Sequence, residues 1–160
     1  MLKVAVTLAL LLVLLPKPGI CGWQYTRWGM TPEQVKSASQ GNAIENPTVG
    51  FQSNDSGDAL LVSPYSAGAL DFKAYFLFDR KTKKLKTVSL ELVDQRKGKE
   101  LYTQLVGQFG RPVSQDNTAL MRVARWLDRK NRNMVVWTTI GFVNAKVQFS
   151  EFVGQTGRAI

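Results

Sequence analysis

Apolar and polar residues alternate most clearly in the middle of the chain. Phe72, Ala74, Phe76 and Phe78 alternate with Lys73, Tyr75 and Leu77, which is the two-residue period of a β-strand. Val88, Leu90 and Leu92 alternate in the same way with Thr87, Ser89 and Glu91. Between the two runs lies Asp79-Arg80-Lys81-Thr82-Lys83-Lys84, so the pair predicts a β-hairpin with a basic tip. Three further strands are predicted at 121–127, 134–140 and 145–152, where branched and aromatic residues are dense. The segment Asp128-Arg129-Lys130-Asn131-Arg132-Asn133 joins the first two of these through a second basic tip. Residues 41–57 are rich in Asn, Gly, Ser and Pro and read as an irregular connection with a short strand at 49–52. A further strand is predicted at 59–62, and 114–118 reads as a polar loop.

Two stretches carry a helical period instead. Leu101, Leu105 and Phe109 stand four apart with Tyr102 and Val106 beside them, an amphipathic helix. Gly110 caps its end and Pro112 prevents its continuation. An earlier helix is signalled by Thr31 as N-cap, Pro32 in the first turn and Gln34 completing a capping box. It is expected to run to about Gln40 and stop at Gly41. Its apolar face, Val35 and Ala38, is thin, and Trp28 and Met30 are expected to pin its entry to the core.

The first residues follow neither pattern. Lys3 precedes an apolar run from Val4 to Leu15 broken only by Thr7. That run is shorter than the ~20 residues a spanning helix needs, and it fits the apolar core of a secretory signal. Pro16 and Pro18 then break the helix, and a cut is expected after Cys21 or Gly22. The organisation expected is thus a signal peptide at 1–22, a single α+β domain at 23–153 and a flexible tail at 154–160. No transmembrane helix is expected in the mature form, and the location expected is periplasmic or secreted. Cys21 is the only cysteine, so a mature chain cut after it forms no disulfide; lipidation of Cys21 is the alternative.

The order helix, connection, strand pair with basic turn occurs twice. It predicts an α+β fold in two layers, with two helices packed on one face of an antiparallel sheet. It also suggests a tandem helix–hairpin repeat with halves at 23–95 and 96–153.

The run Trp28-Gly29-Met30-Thr31-Pro32-Glu33-Gln34-Val35 resembles the start of many small exported bacterial proteins. Phe109-Gly110-Arg111-Pro112 resembles the helix-ending Gly-x-Pro of the SmpA/OmlA (BamE-type) outer-membrane assembly lipoproteins. The β-lactamase inhibitory proteins share a similar tandem helix-and-hairpin plan. These resemblances imply a noncatalytic periplasmic role, and no binding residue is carried over from either family.

Charge narrows the partners. Without Lys3 and Lys17, 19 basic residues stand against 12 acidic ones, a net charge of about +7. Such a surface favours anionic partners. Outside the cytoplasm these are an unidentified protein or an anionic envelope component, with no nucleic acid expected. The chain has no histidine, which removes histidine-based nucleophilic sites and the commonest metal ligand. A pair of carboxylates would suffice for glycoside hydrolysis, but Asp55, Asp58, Asp79, Asp94, Asp116 and Asp128 all fall in predicted turns, where aspartate has backbone reasons to be. Asn54-Asp55-Ser56-Gly57-Asp58 lacks the ligand spacing of a calcium loop. No metal, cofactor or catalytic residue is therefore expected.

The candidate binding residues are the basic tips: Arg80, Lys81, Lys83, Lys84 and Lys86 in one, Arg129, Lys130 and Arg132 in the other. Trp23, Tyr25, Trp28, Trp126 and Trp137 are read as core, with a ligand groove as the alternative. The function expected is that of a noncatalytic periplasmic binding or envelope-accessory protein. The alternatives are a proteinaceous inhibitor of an envelope or secreted enzyme and, third, a carboxylate-dependent hydrolase.

Overall fold

The alternating runs assemble into one antiparallel sheet. A computed structural model describes residues 21–141 and 143–153; residues 1–20 of the expected signal peptide and the expected tail lie outside them, while Cys21 and Gly22 lie within. The elements in order are α1 (Pro32–Ala38), β1 (Ile44–Glu45), α2 (Val49–Gln52), β2 (Asp58–Ala67), β3 (Leu70–Phe78), β4 (Leu85–Leu92), a 3-10 turn at Gln95–Lys97, α3 (Gly98–Phe109), β5 (Ser114–Asn117), β6 (Met121–Asp128), β7 (Asn133–Ile140) and β8 (Val143–Glu151). The sheet order is β1-β2-β3-β4-β8-β7-β6-β5. Four strands from the first part of the chain thus meet four from the second at a central β4–β8 seam, where Thr87 to Glu91 pair with Ser150 to Lys146.

This corrects the expected two-layer fold class. Of the described residues 46% are strand and 19% helix, so an eight-stranded sheet, rather than two helices laid on hairpins, dominates the architecture. The helices have too little apolar surface for the larger role: α1 buries only Val35, and α3 only Leu101 and Leu105. Most of the main core is the sheet's own side chains, Phe72, Phe76 and Phe78 of β3 with Val88, Leu90, Trp126, Val135 and Val147. Burying each of the large ones contributes about 1.5–3 kcal/mol. A second, smaller cluster on the opposite face joins Ala59, Tyr75 and Leu77, with Val62 against it.

Three local readings also change. Val49–Gln52 is one helical turn rather than a strand, closed by Ser53 Oγ donating to the Val49 carbonyl (2.6 Å). Ser114–Asn117 is an edge strand rather than a loop. It holds no apolar residue, is exposed throughout and is placed by backbone pairing to Arg122–Arg125 of β6. The two-residue β1, pairing with Leu61 and Val62, falls within the connection read as irregular. The capping box of α1 forms as expected, with Gln34 N–H donating to Thr31 Oγ1 (3.3 Å) and Thr31 N–H to Gln34 Oε1 (2.9 Å).

Candidate functional site

Antiparallel order fixes where the two basic turns lie. The β3–β4 turn follows the C-terminal end of β3, and the β6–β7 turn follows the C-terminal end of β6. Because β8 pairs antiparallel with both β4 and β7, those two ends lie on the same side of the sheet. The turns are three strand spacings apart, about 14 Å.

Each turn is built the same way. Asp79 Oδ1 accepts the N–H of Lys81 (3.0 Å), the N–H of Thr82 (2.8 Å) and the Thr82 hydroxyl (3.1 Å). These donors hold the Asp79 carboxyl below the usual carboxylate range. In the second turn Asp128 accepts the N–H of Asn131 (3.2 Å) and its side-chain amide (2.7 Å). Four residues after each aspartate comes a left-handed residue, Lys83 and Arg132, both with φ of 54°. Glycine would sit there without strain, yet both positions carry a cation.

All eight predicted site residues are exposed. Arg80 differs from the rest: its Nε pairs with Asp58 (3.0 Å) and its terminal nitrogen donates to the Asn54 carbonyl (3.0 Å). Lys81, Lys83, Lys84, Lys86, Arg129, Lys130 and Arg132 form no ion pair among the described residues. Asp79 and Asp128 face their own turn backbones, so this end of the sheet stays net positive.

Between the turns runs a segment the sequence did not assign to the site. Residues 21–30 cross this end of the sheet and are fastened to both halves. Gly29 N–H donates to the Leu85 carbonyl (2.9 Å) and Leu85 N–H to that of Met30 (2.8 Å). Asn133, buried, accepts the Trp28 indole N–H (3.0 Å) and donates to the Gly22 carbonyl (2.8 Å). A side chain at Gly22 would run into the Thr26 carbonyl. Trp23 packs against Tyr65, Phe76 and Phe149 at centroid distances of 4.9, 6.0 and 6.5 Å. Arg27, exposed on this segment, adds a cation that only the sheet order brings to the turns.

The aromatic residues divide. Trp23, Trp126 and Trp137 are buried, Trp28 is half-buried and Tyr25 is exposed. The acidic residues serve local structure in several cases. Asp58 pairs with Arg80, Asp94 with Arg96, Asp116 with Arg125 and Glu45 with Lys36. Asp58 and Asp116 lie in β2 and β5, and Asp128 is the last residue of β6, rather than in turns, which corrects that part of the sequence reading. Among the described residues no group of three or more Asp, Glu, Cys or His side chains is placed to hold a metal ion, and no helix is long and apolar enough to cross a membrane. No family model, curated protein or solved structure matches the chain.

Proposed function

We propose that this chain is a noncatalytic, exported binding protein of the cell envelope that engages an anionic surface through the cationic end of its sheet. One observation carries the reading: two turns of the same construction stand about 14 Å apart on one side of the sheet, with seven cations that form no ion pair among the described residues. A short spacing between turns lets both sets of charges meet one surface at once. Each cation near an anionic membrane then adds roughly a fivefold gain in affinity.

The test is cosedimentation with vesicles of phosphatidylglycerol and phosphatidylethanolamine. Lys81→Gln, Lys83→Gln and Lys84→Gln together are expected to weaken binding about a hundredfold, and Arg129→Gln, Lys130→Gln and Arg132→Gln to act similarly. Binding also falls as salt rises. Retention unchanged by both triple variants removes the cationic end from the function. Capture of one envelope hydrolase with loss of its activity would replace this reading by the inhibitor.

A further inference from the structure

We propose that the cleft between the start of α3 and strands β5–β7 is a binding site for a small organic anion, a carboxylate, sulfonate or phosphate carried on an apolar ring or chain. It lies at the end of the sheet opposite the basic turns, beside Asn117, Arg122 and Gly141, with a volume of about 700 Å³. That is the size of a small-molecule site.

Its apolar lining is Tyr102, Trp137, Val123 and Ala124. Tyr102 lies over Trp137 with ring centroids 4.8 Å apart. The charged groups around them are unbalanced in one direction. Among the described residues no carboxylate lines the cleft. Gln95 Oε1 accepts the Ala145 N–H (2.7 Å), Thr118 Oγ1 accepts that of Met121 (2.9 Å) and the Tyr102 hydroxyl accepts from Gln115 (2.6 Å). The same side chains also donate, Gln95 to the Leu92 carbonyl (2.6 Å) and Thr118 to that of Met121 (3.2 Å), so they are satisfied within the protein and the cations set the sign of the cleft. Arg96 is held by both oxygens of Asp94 (2.9 Å each). Lys99 and Arg122 form no ion pair among the described residues.

Trp137, in the wall of the cleft, differs from the other tryptophans whose indole partners are known. The Trp137 indole N–H is buried with no hydrogen-bond partner, the only such side-chain atom among the described residues. The buried indole of Trp126, by contrast, donates to the Gly110 carbonyl (2.9 Å), and that of Trp28 to Asn133. A buried donor without an acceptor is destabilising, and Trp137 lines this cleft. An apolar lining and two cations without ion pairs together suit a ligand that is negatively charged and apolar in body.

The experiment uses the anionic dye 8-anilinonaphthalene-1-sulfonate and its uncharged counterpart N-phenyl-1-naphthylamine on the full chain. Saturable binding of the sulfonate is expected, at least about tenfold tighter than that of the neutral dye, because a charge-assisted contact separates them. Lys99→Gln with Arg122→Gln is expected to remove that difference, and the Gln variants at Lys81, Lys83 and Lys84 to leave it intact, which separates this site from the cationic end. In a proton–nitrogen correlation spectrum, the indole resonance abolished by Trp137→Phe should move on titration while that of Trp28 stays in place. Displacement of the dye by 1-naphthoate supports a ring ligand, and displacement by decanoate an acyl chain. Equal binding of the two dyes, insensitivity to the Lys99 and Arg122 variants, or displacement by inorganic phosphate but by neither organic acid would overturn the proposal.

Discussion

In β3 every residue from Ala74 to Phe78 is buried, whereas burial alternates along most of β7 and β5 is exposed throughout. The difference comes from what lies on each side. Around β3, Phe72, Phe76 and Phe78 enter the main core while Tyr75 and Leu77 close a second cluster with Ala59 on the other face. Around β6 and β7 one face is packed by Trp126, Val135 and Trp137, and the other carries half-buried Met134, Val136 and Arg125. A region filled on both faces is specified by packing. The cleft opens on the packed face of β6 and β7, at its far end, where Trp137 and Ala124 meet the start of α3.

The sharpest test of this contrast uses two residues in one row across the same face. Leu77 pairs with Thr87, Thr87 with Ser150 and Ser150 with Met134. Leu77→Ala is expected to cost about 2–5 kcal/mol in urea unfolding, and Met134→Ala less than half of that. Equal losses would mean that both halves are packed alike. Next in size, Asn133→Ala should cost about 2–3 kcal/mol, because it orphans both the Trp28 N–H and the Gly22 carbonyl and so loosens the segment that ties the halves together. A loss no larger than that of an exposed substitution would show that the segment is not fastened there.

Smaller again is Lys83→Gly, expected to stabilise the fold by about 1 kcal/mol while weakening vesicle binding. Opposite signs in the two measurements separate the charge from the turn geometry. The smallest effect concerns acid. Asp79 and Asp94 have lowered pKa values, Asp79 through its turn hydrogen bonds and Asp94, at about 2, chiefly through the Arg96 side chain. Their stabilisation is complete above the unfolded carboxyl pKa near 4 and is lost as pH falls through the folded values. Thermal melts between about pH 5 and pH 2 should fall less steeply in Asp94→Asn than in the parent. Both carboxylates are solvated, so a difference larger than that of Leu77→Ala would contradict the assignment of stability to the core.

Much of the sheet is legible in the sequence because apolar side chains recur at every second position of its strands. Phe72 to Phe78 and Val88 to Leu92 show it, and the turns between strands declare themselves by charge. The missed elements lack that signal. β5 reads Ser-Gln-Asp-Asn and owes its conformation to β6, and Val49 with Phe51 mimics a strand where Thr48 begins a helical turn. For the site, the runs of lysine and arginine locate the turns, and Asp-Arg-Lys recurs at 79–81 and 128–130. Their shared side of the sheet follows only from β4 pairing with β8, a contact between residues roughly sixty positions apart. Periodicity is local and contains nothing about it. The cleft is hidden for the same reason, since Lys99 and Arg122 come to line one cavity only when α3 settles beside β6.

The seam itself has a consequence for synthesis. Until β8 has left the ribosome, β4 has a neighbour on one side only, and its outer row of amides and carbonyls is an open template for another chain. Closure waits on the last strand of the fold, so assembly is governed by a long-range pairing and is slow compared with that of a helical protein of this length. A nascent chain halted before β8 therefore stands most exposed to aggregation at the place where the finished molecule is most protected.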